Sequence, residues 1–315
     1  FNEHKNEIKA KVIDAAFQEL GNDTINKFEI PSKEELLAAT KDTPCEWNPL
    51  EKMSKNDSQS EASFNEQKLA ISVCKQSIDS YCDVSNVFTK STCIRGFPGS
   101  GKTWSMLLAA TYAIIKGLMV TTTAMMAKRA IQLGGKHWHH LFCLPTERNL
   151  TPHQSSEVSI VKVLKRAKIM NFLKTIDVLF CDEIGQVSAE LLSTLDIILR
   201  RIRDTNIFMG GVLVIGTIDH TQIPPVKGQP FLTSSHIIPC FRAVELRHSV
   251  RANSDPNWQR IQEIARLPFH SLDEDPALIE EFTQLVSNHC SFVNDWTSPL
   301  ITPDTMRLYA KKVPA

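Results

Sequence analysis

Long apolar runs are missing from this sequence. Its 315 residues contain no stretch of about 18 consecutive apolar side chains, the length that a membrane-spanning helix requires. We therefore predict a protein without a membrane partner. The chain begins Phe1-Asn2-Glu3-His4, with neither an initiator methionine nor a signal peptide, and this favours a trimmed chain.

Paired cysteines are also missing. The eight cysteines form no C-x-x-C pair, and some of them, such as Cys93 and Cys181, fall within predicted core strands. This usage favours a reduced, intracellular protein over a disulfide framework.

The chain has no net charge, because 35 basic side chains balance 35 acidic ones. A nucleic-acid groove would therefore have to be a local basic patch rather than a basic surface. The hydrophobic fraction of 42% and the charged fraction of 22% are those of a soluble globular protein, and the length allows two domains.

One glycine-rich stretch organises the rest of the chain. Residues 96–103 read Gly-Phe-Pro-Gly-Ser-Gly-Lys-Thr and fill every fixed position of the phosphate-binding pattern G-x-x-x-x-G-K-[S/T]. A predicted strand at 87–94 precedes it and a predicted helix at 104–115 follows it. That is the context the pattern requires, and it disfavours a chance glycine turn.

The composition of this loop predicts its chemistry. Its glycines let successive backbone N–H groups converge on phosphate oxygens, and the N-terminus of the next helix adds partial positive charge. We expect the Lys102 ammonium to reach the β- and γ-phosphates of ATP and the Thr103 hydroxyl to ligate Mg²⁺. ATP and Mg²⁺ are the predicted cofactors. The predicted nucleotide-binding residues of the loop are Gly96, Pro98, Gly99, Ser100, Gly101, Lys102, Thr103 and Trp104.

A second apolar run, at 176–181, ends in the acid pair Asp182-Glu183. A buried strand that carries acids at its carboxyl end lies where α/β nucleotide-binding folds place Mg²⁺ chemistry. Asp182 is predicted to hold Mg²⁺, through water, and Glu183 to orient and deprotonate the attacking water. The alternative, a helix-capping acid pair, fits the upstream phosphate loop less well.

A histidine-rich segment follows the second predicted strand and contains His137, His139, His140 and Phe142. A metal site is one interpretation, but no second ligand cluster of matching spacing occurs elsewhere. A loop that contacts single-stranded nucleic acid fits better, because imidazole and aromatic faces stack on bases and the neighbouring Lys136 can pair with phosphate.

The predicted domain organisation has three parts. Residues 1–62 form a helical extension that ends in a polar linker. Residues 63–285 form the ATPase domain, an α/β core with a parallel sheet flanked by helices, with a small insertion at about 146–170. Residues 286–315, including a strand at 306–310, begin a further lobe.

Over residues 64–312 the chain resembles the Pif1-like group of superfamily 1B DNA helicases. The phosphate loop has Pro98 and Ser100 where that family has Ala and Thr, and Gly185-Gln186 depart from its D-E-I-S-M motif. Further departures are Met126-Ala127 and His137. The other matching segments, in order, are Thr123-Ala124, Gly135-x-His137-x-His139, Asp182-Glu183-Ile184, Leu195 to Gly211, Asp219 to Val226, Leu246 with Arg251, and Ile264 to Arg266.

The resemblance implies a RecA-like motor that hydrolyses ATP, moves 5′ to 3′ on single-stranded DNA and unwinds forked duplexes as a monomer. It places Gln67 on the adenine, for which a side-chain amide has the required donor and acceptor. It makes Lys102, Glu183, Gln222 and Arg251 the catalytic residues. The residues it implies on the DNA strand are Thr123, His137, His139, Phe142 and Pro224. A eukaryotic source would imply the nucleus or the mitochondrion.

The resemblance also implies a second RecA-like lobe that these 315 residues do not contain. We therefore expect this chain to bind Mg-ATP and to hydrolyse it slowly. Two alternatives remain at this stage, a related motor that acts on RNA and a homologue that binds nucleic acid without hydrolysis. The second is disfavoured by the intact Lys102, Thr103, Asp182 and Glu183.

Overall fold

Five parallel strands form the sheet of this α/β protein, within the residues that the computed structural model describes, 2–57, 59–146, 149–267 and 275–289. Their spatial order is β2-β3-β4-β1-β5, and every neighbouring pair is parallel. The strands are β1 (Ser91–Gly96), β2 (Val120–Ala124), β3 (Val178–Asp182), β4 (Leu213–Ile218) and β5 (Phe241–Leu246). The predicted parallel sheet is confirmed.

Helices of the first 254 residues cover both faces of this sheet, and further helices follow in the chain. In chain order they are α1 (Asn2–Lys27), α2 (Lys33–Ala38), α3 (Pro49–Lys52), α4 (Glu61–Cys82), α5 (Lys102–Ile115), α6 (Ala127–Gln132), α7 (Trp138–Leu141), α8 (Pro152–Leu164), α9 (Ala167–Thr175), α10 (Ala189–Arg203), α11 (Pro256–Ile264) and α12 (Pro276–His289). In the described part of the chain, none of them has the length and apolar character needed to cross a bilayer.

The strand sequences explain why the sheet is buried on both sides. β2, β3 and β4 are buried at every residue. β3 and β4 are the near-continuous apolar runs typical of parallel sheets, whereas β2 carries three buried threonines. Successive side chains alternate between faces, so Phe180 joins the core under α4 and α5, whereas Leu179 joins the core under α8 and α10.

The strand order positions the functional residues. β4 lies between β1 and β3, so the loop after β1 and the acids at the end of β3 are separated by two strand spacings, about 10 Å. Because all strands run the same way, their carboxyl ends meet at one edge of the sheet. Ligands of open α/β sheets bind at this edge.

The N-terminal helices share the core of the phosphate-loop helix. Val12 and Leu20 of α1 and Leu36 of α2 are buried in the same cluster as Met106 of α5. Ser32 caps α2 in a capping box with Glu35. In the segment predicted as a polar linker, Met53 and Gln59 are buried, and α4 begins at Glu61.

The predicted insertion at 146–170 consists largely of α8 and α9, both of which pack against α10. The chain divides into two compact units, Phe1–Ser254 and Asp255–Ala315. In the second, Arg260 of α11 pairs with Glu281 of α12 over 2.8 Å. The predicted strand at 306–310 lies outside the described residues, and the domain boundaries at 63 and 286 remain predictions.

Candidate active site

The phosphate loop depends on glycine at two positions. Gly99 and Gly101 have φ values of 73° and 88°, in the left-handed region that side chains disfavour. A Cβ on Gly99 would lie 2.6 Å from Cβ of Arg251, and one on Gly101 would lie 2.3 Å from Nε2 of Gln67. The loop is therefore held tightly from two sides, and the N-terminus of α5 opens directly from it.

Lys102 rests on the loop itself. Its Nζ donates to the carbonyl oxygens of Gly96 and Phe97, both over 2.8 Å. The ammonium is thus held against the first residues of the loop, and Lys102 lines the cleft beside the first turn of α5. A phosphate group that entered would exchange these neutral acceptors for charged ones, which form stronger hydrogen bonds with an ammonium.

Asp182 connects the two halves of the site. Its Oδ1 accepts hydrogen bonds from Oγ1 of Thr103 over 3.0 Å and from Oγ1 of Thr217 over 2.5 Å. Thr217 lies on β4, the strand between the loop and the acids. The Asp182 side chain is only 4% exposed, so protein groups hold it: these two hydroxyls on Oδ1 and Arg129 on Oδ2.

Glu183 has a strained backbone. Its φ of 52° and ψ of 48° lie in the left-handed region, a conformation that costs free energy in residues other than glycine and is concentrated at functional sites. Its backbone N–H donates to Oγ1 of Thr217, and Gln186 donates to its Oε2 over 2.6 Å. Burial, and then the charge of Asp182, raise the pKa of Glu183 above the ordinary 4.5, while Lys102 opposes the shift.

A cleft of about 540 Å³ opens above these residues, within the size range of small-molecule sites. It brings together the two predicted groups, the loop and the acid pair, with residues of the N-terminal segment. Its lining consists of Glu19, Asn56, Gln59, Gln67, Pro98, Gly99, Gly101, Lys102, Thr103, Trp104, Arg129, Asp182, Glu183, Thr217, Asp219, Gln222, Val250 and Arg251.

Two of the predicted loop residues shape the loop without lining the cleft. Gly96 packs against β5, where an added Cβ would lie 2.5 Å from the carbonyl oxygen of Leu246. Ser100 is buried and donates to the carbonyl oxygen of Phe97 over 2.8 Å. Trp104 does line the cleft, with its ring edge-on to Phe28 at 5.7 Å.

Gln67 lines the cleft with both ends of its amide hydrogen-bonded to protein groups. It is 3% exposed, its Nε2 donates to the carbonyl oxygen of Ser100, and its Oε1 accepts from Nε2 of Gln59 over 2.7 Å. Both ends of the amide are therefore engaged inside the protein. The contacts make Gln67 a support for the phosphate loop, and its assignment to the adenine stays a prediction.

Gln222 and Arg251 lie at the rim of the cleft. Both are exposed, and Nε2 of Gln222 donates to Asp219 over 3.1 Å. The backbone N–H groups of Val250 and Arg251 donate to the carbonyl oxygen of Gly99 at 3.0 and 3.3 Å. The arginine is therefore tied to the loop through its main chain.

Two of the predicted DNA contacts are wrong. Phe142 is fully buried and packs against Trp138 with ring centroids 5.7 Å apart, so it has no face to offer a base. Thr123 is also fully buried, and its hydroxyl donates to the carbonyl oxygen of Lys136. The apolar pattern around Phe142 fits a core position as well as a stacking one, and tertiary packing selects the core.

The other predicted DNA contacts have accessible surface. His137 and His139 are partly exposed and stack on each other at 5.2 Å, and Pro224 is exposed. Among the described residues, no group of three or more His, Cys, Asp or Glu side chains is arranged to hold a metal ion.

Several residues of the site were not found by sequence reasoning. Thr217 could have been found, because it is a hydroxyl at the carboxyl end of an otherwise apolar strand. Gln186 occupies a position at which the sequence departs from the D-E-I-S-M motif, so the motif gave no role for it. No local signal pointed to Gln59 or to Arg129, which donates from Nε to Oδ2 of Asp182 over 2.8 Å.

The fold and site define a class of protein. A glycine loop that opens a helix, facing an acid pair across one intervening strand of a parallel sheet, is the arrangement of a P-loop nucleotide-binding protein with a RecA-like fold.

Comparison with known proteins identifies the family. The family model described as PIF1-like helicase matches residues 65–267, well over half of the chain. This chain belongs to the PIF1-like helicase family.

Individual relatives match over shorter stretches. The ATP-dependent DNA helicase PIF1 of Saccharomyces cerevisiae (strain YJM789) is 31% identical over 139 residues, which cover 43% of this chain and 15% of that protein. The ATP-dependent DNA helicase Pif1 of Bdellovibrio bacteriovorus is 25% identical over 167 residues, covering 51% of this chain and 36% of the relative. The chain therefore spans well under half the length of these relatives.

The fold also matches a solved structure, that of the Pif1 helicase from Candida albicans. The TM-score is 0.52 at 24% identity, over 67% of this chain and 46% of that one. At this identity the likeness shows the fold alone.

Proposed function

We propose that this chain is the nucleotide-binding motor domain of an ATP-dependent DNA helicase of the PIF1-like family, which moves 5′ to 3′ on single-stranded DNA. One observation carries the proposal: Thr103 of the phosphate loop donates directly to Asp182 of the acid pair. The hydroxyl and the carboxylate that nucleotide hydrolysis needs are thus assembled at one point of the cleft.

The triphosphate of ATP lies over the backbone N–H groups of residues 99–103, at the N-terminus of α5. Lys102 leaves the carbonyl oxygens of Gly96 and Phe97 and takes up phosphate oxygens instead. Its charge is used mainly in the transition state, where negative charge shifts along the phosphate chain. Arg251 and Gln222 reach the γ-phosphate from the rim.

Thr103 and Asp182 suit Mg²⁺, because both offer oxygen atoms, the donors that this ion prefers. When bound, the ion neutralises phosphate charge. Thr217 contributes by holding Oδ1 of Asp182 in place. The carboxylate is thereby oriented before any ligand arrives.

Glu183 takes a proton from the attacking water. Gln186 holds its Oε2, and the left-handed backbone at Glu183 aims the side chain into the cleft. The raised pKa brings this carboxylate closer to the operating pH, which increases its strength as a general base.

The DNA strand passes over the exposed carboxyl-end loops, where His137, His139 and Pro224 offer ring faces for stacking. Gln222 lies in the same segment as Pro224 and also lines the cleft, so it can couple the γ-phosphate to the strand. We further propose that the motor works as a monomer inside the cell.

The test is the ATP hydrolysis rate with single-stranded DNA and with RNA of the same base sequence. It is measured for this chain and for any longer protein that contains it. Stimulation by DNA only supports the proposal, whereas stimulation by RNA only would replace it with an RNA motor. ATP binding without hydrolysis in the longest active form would indicate a non-hydrolysing homologue. Forked duplexes with a 5′ or a 3′ single strand then test the direction.

A further inference from the structure

A cation of the protein already lies on Asp182. Arg129, in α6, donates from Nε to Oδ2 of Asp182 over 2.8 Å and from Nη1 to Oε1 of Glu19 over 2.9 Å. Glu19 belongs to α1, near the break of that helix at Gly21. The guanidinium therefore lies between two carboxylates, one at the catalytic edge of the sheet and one on the N-terminal helix.

The two carboxylates have different surroundings. The side chain of Asp182 is 4% exposed and that of Glu19 is 35% exposed. A buried carboxylate depends on its partners, because water does not replace them, whereas an exposed pair is weak and easily exchanged. Burial disfavours the charge on Arg129, but its hydrogen bonds to Asp182 and Glu19 outweigh burial and raise its pKa. The guanidinium stays charged.

Arg129 occupies the side of Asp182 that a divalent cation needs. Oδ1 is already engaged by Thr103 and Thr217, so Oδ2 is the oxygen still available to a metal ion or to its bound water. Two cations on one carboxylate oxygen repel each other strongly in a buried setting. Binding of the ion thus requires that Arg129 move away from Asp182. Glu19 already accepts a hydrogen bond from Nη1 of the same guanidinium.

We propose that Arg129 is a positioning residue that exchanges between two carboxylates. It holds Asp182 when no divalent cation is present, and it withdraws to Glu19 when the cation binds. Through Glu19, the N-terminal helix therefore sets the cation affinity of the motor. This helix lies outside the segment 65–267 that matches the family. This inference rests on the proposed function, because it needs a nucleotide–metal site in the cleft.

The experiment measures Mn²⁺ affinity in the presence of saturating ADP, from the electron paramagnetic resonance signal of free Mn²⁺. Arg129→Ala removes the competing cation and is expected to bind Mn²⁺ about tenfold more tightly than the wild type. Arg129→Gln should change the affinity in the same direction. Glu19→Ala removes only the exposed acceptor, leaves the guanidinium on Asp182, and is expected to bind Mn²⁺ several-fold more weakly.

The critical result is that Mn²⁺ affinity changes in opposite directions in Arg129→Ala and Glu19→Ala. If Arg129 were only a structural brace, loss of either partner would loosen the site and lower the affinity in both variants, and that outcome overturns the proposal, as does no change in either. The double variant should behave as Arg129→Ala does. Glu7→Ala, which removes an exposed acid three turns earlier on α1, is the control and should leave the affinity unchanged.

The same measurements separate this inference from the proposed function. If the wild type binds no ADP, the nucleotide site itself is wrong and the inference fails with it. If ADP binds but the two variants do not shift Mn²⁺ affinity in opposite directions, only the Arg129 exchange is rejected. Circular dichroism and the unfolding midpoint show that each variant is folded.

Discussion

The hydroxyl of Thr103 donates to the carboxylate of Asp182 over 3.0 Å, although 79 residues separate them in the chain. The contact exists because β4 lies between β1 and β3 and all three strands end at the same edge of the sheet. Thr217 of β4 lies beside Asp182 there and donates to it. It joins the phosphate loop to the acid pair, and each prediction about nucleotide chemistry depends on it.

We predict that Asp182→Asn weakens nucleotide binding only when a divalent cation is present. Asparagine keeps the size of the side chain but loses its charge and one acceptor, so affinity for Mg-ADP should fall about tenfold or more. Affinity for ADP in EDTA should change little. Calorimetric titration measures both, with Asp42→Asn, an exposed acid, as the control. Equal weakening under the two conditions would contradict a metal role.

We predict that Glu183→Gln binds ATP and loses hydrolysis. The amide keeps the shape of the side chain but cannot accept the proton, and loss of a general base typically costs about 10²–10⁴ in rate. The rate is measured in the longest form of the protein that hydrolyses ATP. Glu34→Gln, at an exposed position of α2, is the matched control. Hydrolysis at the wild-type rate in Glu183→Gln would show that another group activates the water.

We predict an acid limb in the pH dependence of hydrolysis. Burial, and then the charge of Asp182, raise the pKa of Glu183 above 4.5, so its protonated, inactive form persists to higher pH than in an ordinary glutamate. The rate at saturating ATP should therefore fall on acidification, with a midpoint above 4.5. A midpoint at or below that value would argue against the assignment. The raised pKa of Glu183 also affects the free energy of unfolding. It stabilises the folded protein at low pH, and this stabilisation is lost as the pH rises through the pKa that Glu183 has in the folded state.

We predict that Gln67→Ala weakens binding of ATP and of GTP by the same factor. Its amide is engaged by Ser100 and Gln59, so the substitution loosens the phosphate loop and leaves base recognition unchanged. The unfolding midpoint should also fall, because a buried acceptor on Ser100 and a donor on Gln59 lose their partner. Gln76→Ala, at an exposed position of the same helix, should have neither effect. A loss confined to ATP would instead show that Gln67 contacts the adenine.

We predict that Phe142→Ala destabilises the fold by about 3–5 kcal/mol, the usual cost of emptying a buried phenylalanine position. Urea unfolding measures the change. Phe88→Ala, at a side chain that is 43% exposed, should cost far less. The outcome that would contradict this prediction is a stable Phe142→Ala protein with reduced affinity for single-stranded DNA.

The phosphate loop and the acid pair could be predicted because their information is local. Each consists of residues at a fixed spacing next to a predicted strand. Cys93 and Cys181 both lie in buried strands, but the strand predicted at 87–94 runs from Ser91 to Gly96, and Val87 and Phe88 of the predicted run are exposed. Residue burial was harder to predict where one side chain suits two environments. Phe142 has an aromatic face that can stack on a base or fill a core, and its sequence neighbours do not decide between them.

Polar partners distant in the chain could not be predicted at all. Nothing near Arg129 indicates that it meets Glu19, 110 residues earlier, or that Gln59 completes the hydrogen bonds of Gln67. Such contacts depend on how α1 and α4 pack against the sheet. That packing is set by many apolar side chains together and not by the polar residues that it brings into contact.

By itself, the sequence determined that this chain has a glycine-rich phosphate loop, an acid pair at the end of a strand and a parallel sheet to carry them, because residue spacing and apolar periodicity act over short distances. Only the tertiary structure decided which side chains surround that pair. The strand order places Thr217 beside Asp182, and the docking of the N-terminal helix places Glu19 against Arg129. Those neighbours control the charge on the site, and they are brought together by packing over the whole domain.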